Sequence, residues 1–250
     1  MTDIEIIKRV DDGANYYIRL FGDAPHMESI DNGVYRVVRP KQGEHGIRFI
    51  ADVRPELLNK KKIREIKRLR MPVWWGLLIS DDLYRLVYHK KRKKNMEIKP
   101  GDELYMAAFP GEMISHEKAK LARRVETPDD FARWAKSMCD ILSGGFPDIH
   151  PQHHYPLCQR GALRCYYIEI NGQIASTAAI MMDGANASLE FVATNPAHRR
   201  QGLAGGVSVA AVNDAFACGA EIVTLRAMNP GTRELYTSLG FKIYNEALGL

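Results

Sequence analysis

Between Ala187 and Ala217 the chain lays out a strand, a basic turn containing glycines and an alanine-rich helix, an order suited to holding a phosphate. Ala187–Thr194 is small, β-branched or apolar, and Asn195-Pro196 ends it, because the residue before a proline is kept out of the helical region. Arg199-Arg200-Gln201-Gly202-Leu203-Ala204-Gly205 follows, and Val207–Ala217 is apolar almost throughout, which predicts a buried helix. A helix that starts after such a turn presents unpaired N–H groups and a partial positive charge to an anion. Gly202 and Gly205, with small Ala204 between them, let a ligand approach the backbone without meeting a Cβ. Arg199 and Arg200 add charge at the mouth. The turn lacks the Gly-Lys-Ser/Thr of a P-loop, and its spacing lacks the three glycines of the dinucleotide fingerprint.

The six residues Arg199-Arg200-Gln201-Gly202-Leu203-Ala204 resemble the acetyl-CoA signature of the GNAT N-acetyltransferase superfamily, [Gln/Arg]-x-x-Gly-x-[Gly/Ala]. Downstream, Glu221–Ala227 alternates as a strand after Gly219, a helix C-cap. Asn229-Pro-Gly-Thr-Arg-Glu-Leu-Tyr-Thr-Ser-Leu-Gly-Phe241 then resembles the second signature of the same family, with Thr232 where alanine is usual. Two signatures stand in the right order, each on the expected element.

The resemblance implies direct attack of an amine on the thioester of acetyl-CoA. It assigns the donor site to Val192, Ala193, Thr194, Arg199, Arg200, Gln201, Gly202, Leu203, Ala204, Gly205 and Asn229. A backbone N–H of Val192 or Ala193 would polarise the carbonyl. Tyr236, at the Leu-Tyr position, would protonate the departing sulfur, since a phenol keeps its proton at neutral pH. Glu190, two residues before Val192 and on the same face of a regular strand, is the candidate base, directly or through a water. A surface glutamate would look the same in sequence. Members acting on protein N-termini often carry a glutamate on the next strand, where this chain has Thr224. The acceptor expected is therefore a primary amine of a small or amino-acid-like molecule. An aminoacyl-tRNA-dependent transferase and a non-catalytic acyl-CoA sensor are the alternatives.

Length and composition allow two modest domains: 250 residues, 46% hydrophobic and 26% charged. The expected fold is α/β (α+β), with a GNAT-like mixed sheet flanked by helices over residues 121–250. Residues 1–120 are expected to form a degenerate GNAT-like half. Phe49–Val53 echoes Phe191–Asn195, while the Trp74–Ile79 strand and Asp82-Leu-Tyr84 echo Val223–Met228 and Glu234-Leu-Tyr236. No glycine turn follows Phe49–Val53, so that half is not expected to hold a pyrophosphate. The chain ends soon after Gly240-Phe241, which predicts a final strand that is short or supplied from the other half.

Further elements complete the expectation. Met1–Lys8 is read as a strand, Asp11–Phe21 as a helix, and Gly33–Val38 and Gly46–Val53 as strands. Leu57 to Leu69 has helical spacing, Val73–Ile79 reads as a buried strand, and Leu83, Leu86 and Val87 mark a helix. Glu103–Phe109 and Leu121–Glu126 are strands flanking a connection, Pro110–Lys120. Thr127 caps a helix with Pro128 first in it and Asp129 and Asp130 in its first turn; Ser143–Pro147 breaks that helix. Arg164–Ile170 and Gln173–Met181 make a hairpin about Asn171-Gly172.

Charge and special residues bound the partners. Basic clusters at Lys60–Arg70 and His89–Lys94 are read as solvated faces rather than a nucleic-acid surface, since aromatic side chains are not interleaved with the second. His150, His153 and His154, beside Cys158, lie among prolines that predict an irregular segment over the acceptor site. They are read as surface residues or an alternative base, and no metal is expected. The four cysteines and the lack of a membrane-length apolar run suit a cytoplasmic protein, with a homodimer allowed for.

Overall fold

The computed structural model describes residues 1–76, 104–142, 149–227 and 230–245. Several expected features lie outside those residues: the strand beyond Gly76, the helix with Leu83, Leu86 and Val87, the basic run 89–94, the break at 143–147, and Asn229. The chain divides into two compact units, Ala14–Pro100 and a larger one made of Met1–Gly13 with Gly101–Leu250. Residues 104–120, expected in the N-terminal half with a boundary at 120, thus belong with the C-terminal sheet.

In the smaller unit β1 (Met27–Asp31), β2 (Arg36–Pro40) and β3 (Phe49–Ala51) form an antiparallel sheet. Helix α2 (Lys60–Arg68) begins where Asn59 accepts from the N–H groups of Lys61 and Lys62. It buries Ile63 and Ile66 with Ile50, Tyr35 and Leu58 and turns its lysines and arginines outward. Val73 bridges Ile50 in parallel.

The larger unit is a mixed sheet in the order β10-β4-β9-β8-β7-β6-β5. Its strands are β4 (Leu104–Ala108), β5 (Arg123–Arg124), β6 (Leu163–Ile170), β7 (Gln173–Asp183), β8 (Asn186–Thr194), β9 (Ile222–Ala227) and β10 (Lys242–Ile243). The β6–β7 hairpin forms as its turn residues predict, and β7–β8 continues it antiparallel. β8 and β9 are parallel. β4 inserts antiparallel between β9 and the two-residue β10, so the sheet is completed by a segment from before the domain. That meets the expectation of a short or borrowed last strand. β4 is buried throughout because both faces are covered: Leu104, Met106 and Ala108 join the main core, while Tyr105 donates to Asp11 at 2.8 Å and Ala107 clusters with Ile6.

Met1–Lys8, read as a strand, is instead the start of helix α1 (Asp3–Gly22). The isoleucines and Val10 recur at helical spacing, and Thr2 and Glu5 close a capping box: Glu5 N–H donates to Thr2 Oγ1 at 3.3 Å and Thr2 N–H to Glu5 at 2.6 Å. Helix α3 (Pro128–Leu142) starts as predicted, with Asp130 N–H donating to Thr127 Oγ1 at 3.1 Å. It buries Phe131, Trp134, Ala135 and Met138, spaced three and four apart. The prolines do not keep the next segment irregular: α4 (Pro151–Gln159) is a helix, since Pro151 sits at its first position where no N–H is needed.

Helix α5 (Leu203–Ala217) packs on β6, β7, β8 and β9, and α6 (Arg233–Ser238) follows β9. The tight return after α6 fixes Gly240, with φ +105°, where a Cβ would meet the Glu112 carbonyl oxygen. Gly240→Ala is expected to cost more than about 2 kcal/mol, from backbone strain plus the clash. Urea denaturation measures it; a loss within about 0.5 kcal/mol, as at an ordinary surface site, would show that this return is loosely held.

Candidate active site

The site is built on two departures from regular sheet. The first is in the β8–β9 pair, whose register runs from Asn186↔Ile222 to Ser188↔Thr224 and then stops, although the strands continue to Thr194 and Ala227. Beyond Ser188 the facing edges part, leaving a wedge between the two strands.

The second is a bulge on β8. Thr177 pairs with Ala193 but Ala179 pairs with Glu190, so Phe191 and Val192 stand opposite Ala178 alone. Phe191 takes φ +53° and meets Trp134 edge-on at 6.0 Å, whereas Val192 packs against the core cluster that includes α5. The alternation that would place Glu190 and Val192 on one face is therefore broken. Buried hydroxyls from β7 hold the bulge: Thr177 Oγ1 donates to Phe191 O at 3.0 Å and Ser176 Oγ to Ala193 O at 3.1 Å.

Tyr236 is buried on α6, its ring 5.9 Å from that of Phe241 in an edge-on contact. Loss of hydration pushes its phenol well above the ordinary value, and the charge of Glu190 adds to the shift. Thr224 is buried and donates to the Ala187 carbonyl at 3.1 Å, so it stitches the paired part of the two strands.

At the end of β8 the chain turns as its sequence predicts. Asn195 accepts from Ala197 N–H at 3.0 Å and starts the short 3-10 turn Pro196–His198; Arg199 Nε reaches the Thr194 carbonyl at 3.4 Å. Arg200 has φ +58° and Gly202, the N-cap of α5, φ +74°; no side chain caps the helix there. Leu203, Ala204 and Gly205 open α5, with Gly206 N–H the first to bond back, to Gly202 O at 3.0 Å. Arg199, Arg200 and Gln201 are exposed or half-exposed beside them.

What approaches the inner glycines is the chain itself, a neighbour that sequence reasoning missed. The segment read as a connection forms a 3-10 turn, Glu117–Leu121, lying on the first turns of α5. A Cβ on Gly205 would come 2.9 Å from His116 Nε2, and one on Gly206 2.8 Å from the Lys118 backbone. Nothing in the spacing of residues 116–118 marks Gly205 and Gly206 as partners; the hint is α5, apolar all round and so in need of cover on both sides.

The three histidines separate. His154 is buried and its Nδ1 accepts from the His150 N–H at 3.0 Å, so it holds the start of α4. His150 and His153 face each other edge-on at 6.1 Å. Among the described residues no group of three His, Cys, Asp or Glu side chains is placed to hold a metal. A depression of about 400 Å³ beside Asn195 is lined by α3 residues, Arg133 and Lys136 among them, and by the β6–β7 turn.

Residues 133–241 match the family model of the acetyltransferase (GNAT) family. This segment is a GNAT acetyltransferase domain. A GCN5-related N-acetyltransferase from Kribbella flavida shares the fold at TM-score 0.59 and 18% identity, over 93% of this chain and 91% of that one. A GNAT-family protein from Novosphingobium aromaticivorans gives 0.44 at 21% identity, over 56% and 59%. An acetyltransferase from Clostridium acetobutylicum, solved with acetyl-CoA, gives 0.39 at 21% identity, over 48% and 88%. No curated protein matches the sequence. No helix among the described residues is long and apolar enough to cross a membrane.

The buried phenol has a consequence for alkaline stability. Its pKa is raised on folding, so its contribution is complete below the ordinary phenol value near 10 and is lost as pH rises above that value. Between about pH 9 and about pH 11, urea-derived stability should fall more steeply in the wild type than in Tyr236→Phe. Equal falls would show that the hydroxyl is open to water.

Proposed function

We propose that the GNAT domain is an acetyl-CoA-dependent N-acetyltransferase acting on a primary amine of a small or amino-acid-like acceptor, by direct attack. The observation that carries this reading is the parting of β8 and β9 beyond Ser188, with the uncapped N-terminus of α5 following β8 and Tyr236 buried on the helix that follows β9.

In this reading the N-terminus of α5, with Arg199, Arg200 and Gln201, holds the pyrophosphate, and Asn229 contacts the donor's arm. The edge of β8 from Val192 to Thr194 lines the thioester end, and an N–H of Val192 or Ala193 polarises the carbonyl. Glu190 takes a proton from the acceptor ammonium, directly or through a water. The freed nitrogen lone pair forms the C–N bond, the C–S bond breaks, and Tyr236 gives its proton to sulfur. The tyrosine regains a proton from the newly formed amide nitrogen, so one proton leaves with Glu190 per turnover. Thr224 occupies the place where members acting on protein N-termini often carry a glutamate, which favours a small acceptor. The four free cysteines are consistent with a reduced, cytoplasmic setting.

Two measurements test the reading. Ala204→Glu places a carboxylate at the second position of α5, which the helix tolerates because acidic groups suit its N-terminus. Calorimetry should show micromolar acetyl-CoA binding in the wild type and none in this variant, with thermal stability kept. No binding in the wild type would sink the donor assignment. Tyr236→Phe should bind acetyl-CoA as the wild type does but release free thiol at least about 100-fold more slowly with an amine acceptor. Unchanged turnover would remove the phenol from the chemistry.

A further inference from the structure

The phosphate turn has a cationic neighbour outside both signatures and before the matched domain. His116 is the N-cap of the 3-10 turn Glu117–Leu121, and its Nδ1 accepts from the Lys118 N–H at 3.2 Å. That bond fixes where Lys118 leaves the backbone. The ring edge of His116 lies against α5, with Cε1 3.3 Å from where a Cβ on Gly202 would stand and Nε2 2.9 Å from that on Gly205. The backbone of Lys118 is seated on Gly206, and its Cδ reaches to 3.8 Å from the Gly202 position.

The ammonium is two bonds beyond Cδ, about 2.5 Å from it, a reach that brings the N-terminus of α5 within its range. Lys118 is half-buried, and it belongs to none of the ion pairs found among the described residues. A cation within reach of helix N–H groups, and outside the ion pairs found among the described residues, is electrostatically unfavourable there until an anion arrives. Gly205 and Gly206 have their small size explained by the same contact: a side chain at either would push this segment, and Lys118 with it, off the turn.

We propose that Lys118 is a third phosphate-binding cation of the donor site and that His116 is the positioning residue that aims it. The proposal rests on the donor assignment above and extends the site to residues outside the matched family segment. Either the pyrophosphate or the 3′-phosphate of CoA fits this chemistry.

Calorimetric titration of CoA and 3′-dephospho-CoA into wild type, Lys118→Gln and Lys118→Arg, at several salt concentrations, tests it. Lys118→Gln should weaken CoA about tenfold and flatten the dependence of Kd on salt, while Lys118→Arg keeps both. An equal loss for the two ligands points to the pyrophosphate; a loss for CoA alone points to the 3′-phosphate. His116→Asn, which keeps an acceptor for the Lys118 N–H, should retain affinity, and His116→Ala should raise KM for acetyl-CoA with kcat unchanged. An unchanged Kd in Lys118→Gln, a weaker one with the wild-type salt slope, or tighter binding, as when a cover is loosened, would each overturn the proposal. Failure of the donor assignment itself reads differently: the wild type would not bind CoA.

Discussion

Parallel strands β8 and β9 share backbone pairing over three residue positions and then part, and the functional half of the molecule is arranged around the gap. Two adjacent strands inside a sheet cannot simply leave their N–H and C=O groups bare, because an unpaired buried backbone group costs about as much as a lost hydrogen bond. Regular strands would therefore close. Here closure is prevented from both ends. Thr224, bonded to Ala187 O, fixes where the pairing stops, and the bulge at Phe191–Val192 bends β8 away while Ser176 and Thr177 supply hydroxyls to its carbonyls. The opening is thus a constructed feature with its own hydrogen bonds.

On its other edge β9 pairs with β4 from Leu104↔Ala227 to Ala108↔Val223, so it is held in the sheet along its whole length even where it parts from β8. β4 in turn is buried on both faces, by the main core and by the first turns of α1. This is why residues from before the signature domain belong to its compact unit. The borrowed strand continues into the segment that reaches α5, so strand and cover are delivered by one stretch of chain, with Ile114 N–H bonded to Leu239 O between them.

Most of the larger unit was legible in sequence. Local chemistry decides it where the signal is strong: Thr127 with Pro128 for α3, Asn171-Gly172 for the hairpin, Asn195-Pro196 and Gly202 for the turn between β8 and α5. The misreadings have a common cause. Met1–Lys8 is short enough for its isoleucines to fit a strand, yet it is only the first two turns of a helix whose later residues were correctly read. Pro151 breaks nothing because the first proline of a helix costs nothing, and α4 carries Pro156 in its interior all the same. The β8 bulge was invisible because one extra residue leaves no mark in composition, and it undid the inference that Glu190 and Val192 share a face.

Long-range partners were illegible for a different reason: pairing of β4 with β9, or His116 with Gly205, depends on geometry across more than eighty residues, where periodicity says nothing. A constraint was nonetheless present. α5 has almost no hydrophobic asymmetry, with Leu203, Val207, Val209, Ala211, Val212 and Ala215 buried around its circumference. A helix lying on one face of a sheet can bury only one side, so an all-round apolar helix requires a second layer. The sequence demanded a cover without saying which segment it was. The double glycine Gly205-Gly206 on that helix adds that the cover comes close enough to exclude a Cβ, the same property first attributed to a ligand. The glycines at the head of α5 therefore serve two approaches. Gly202 takes the left-handed turn that exposes the helix N-terminus, and Gly205 and Gly206 admit the chain segment that carries Lys118 to it.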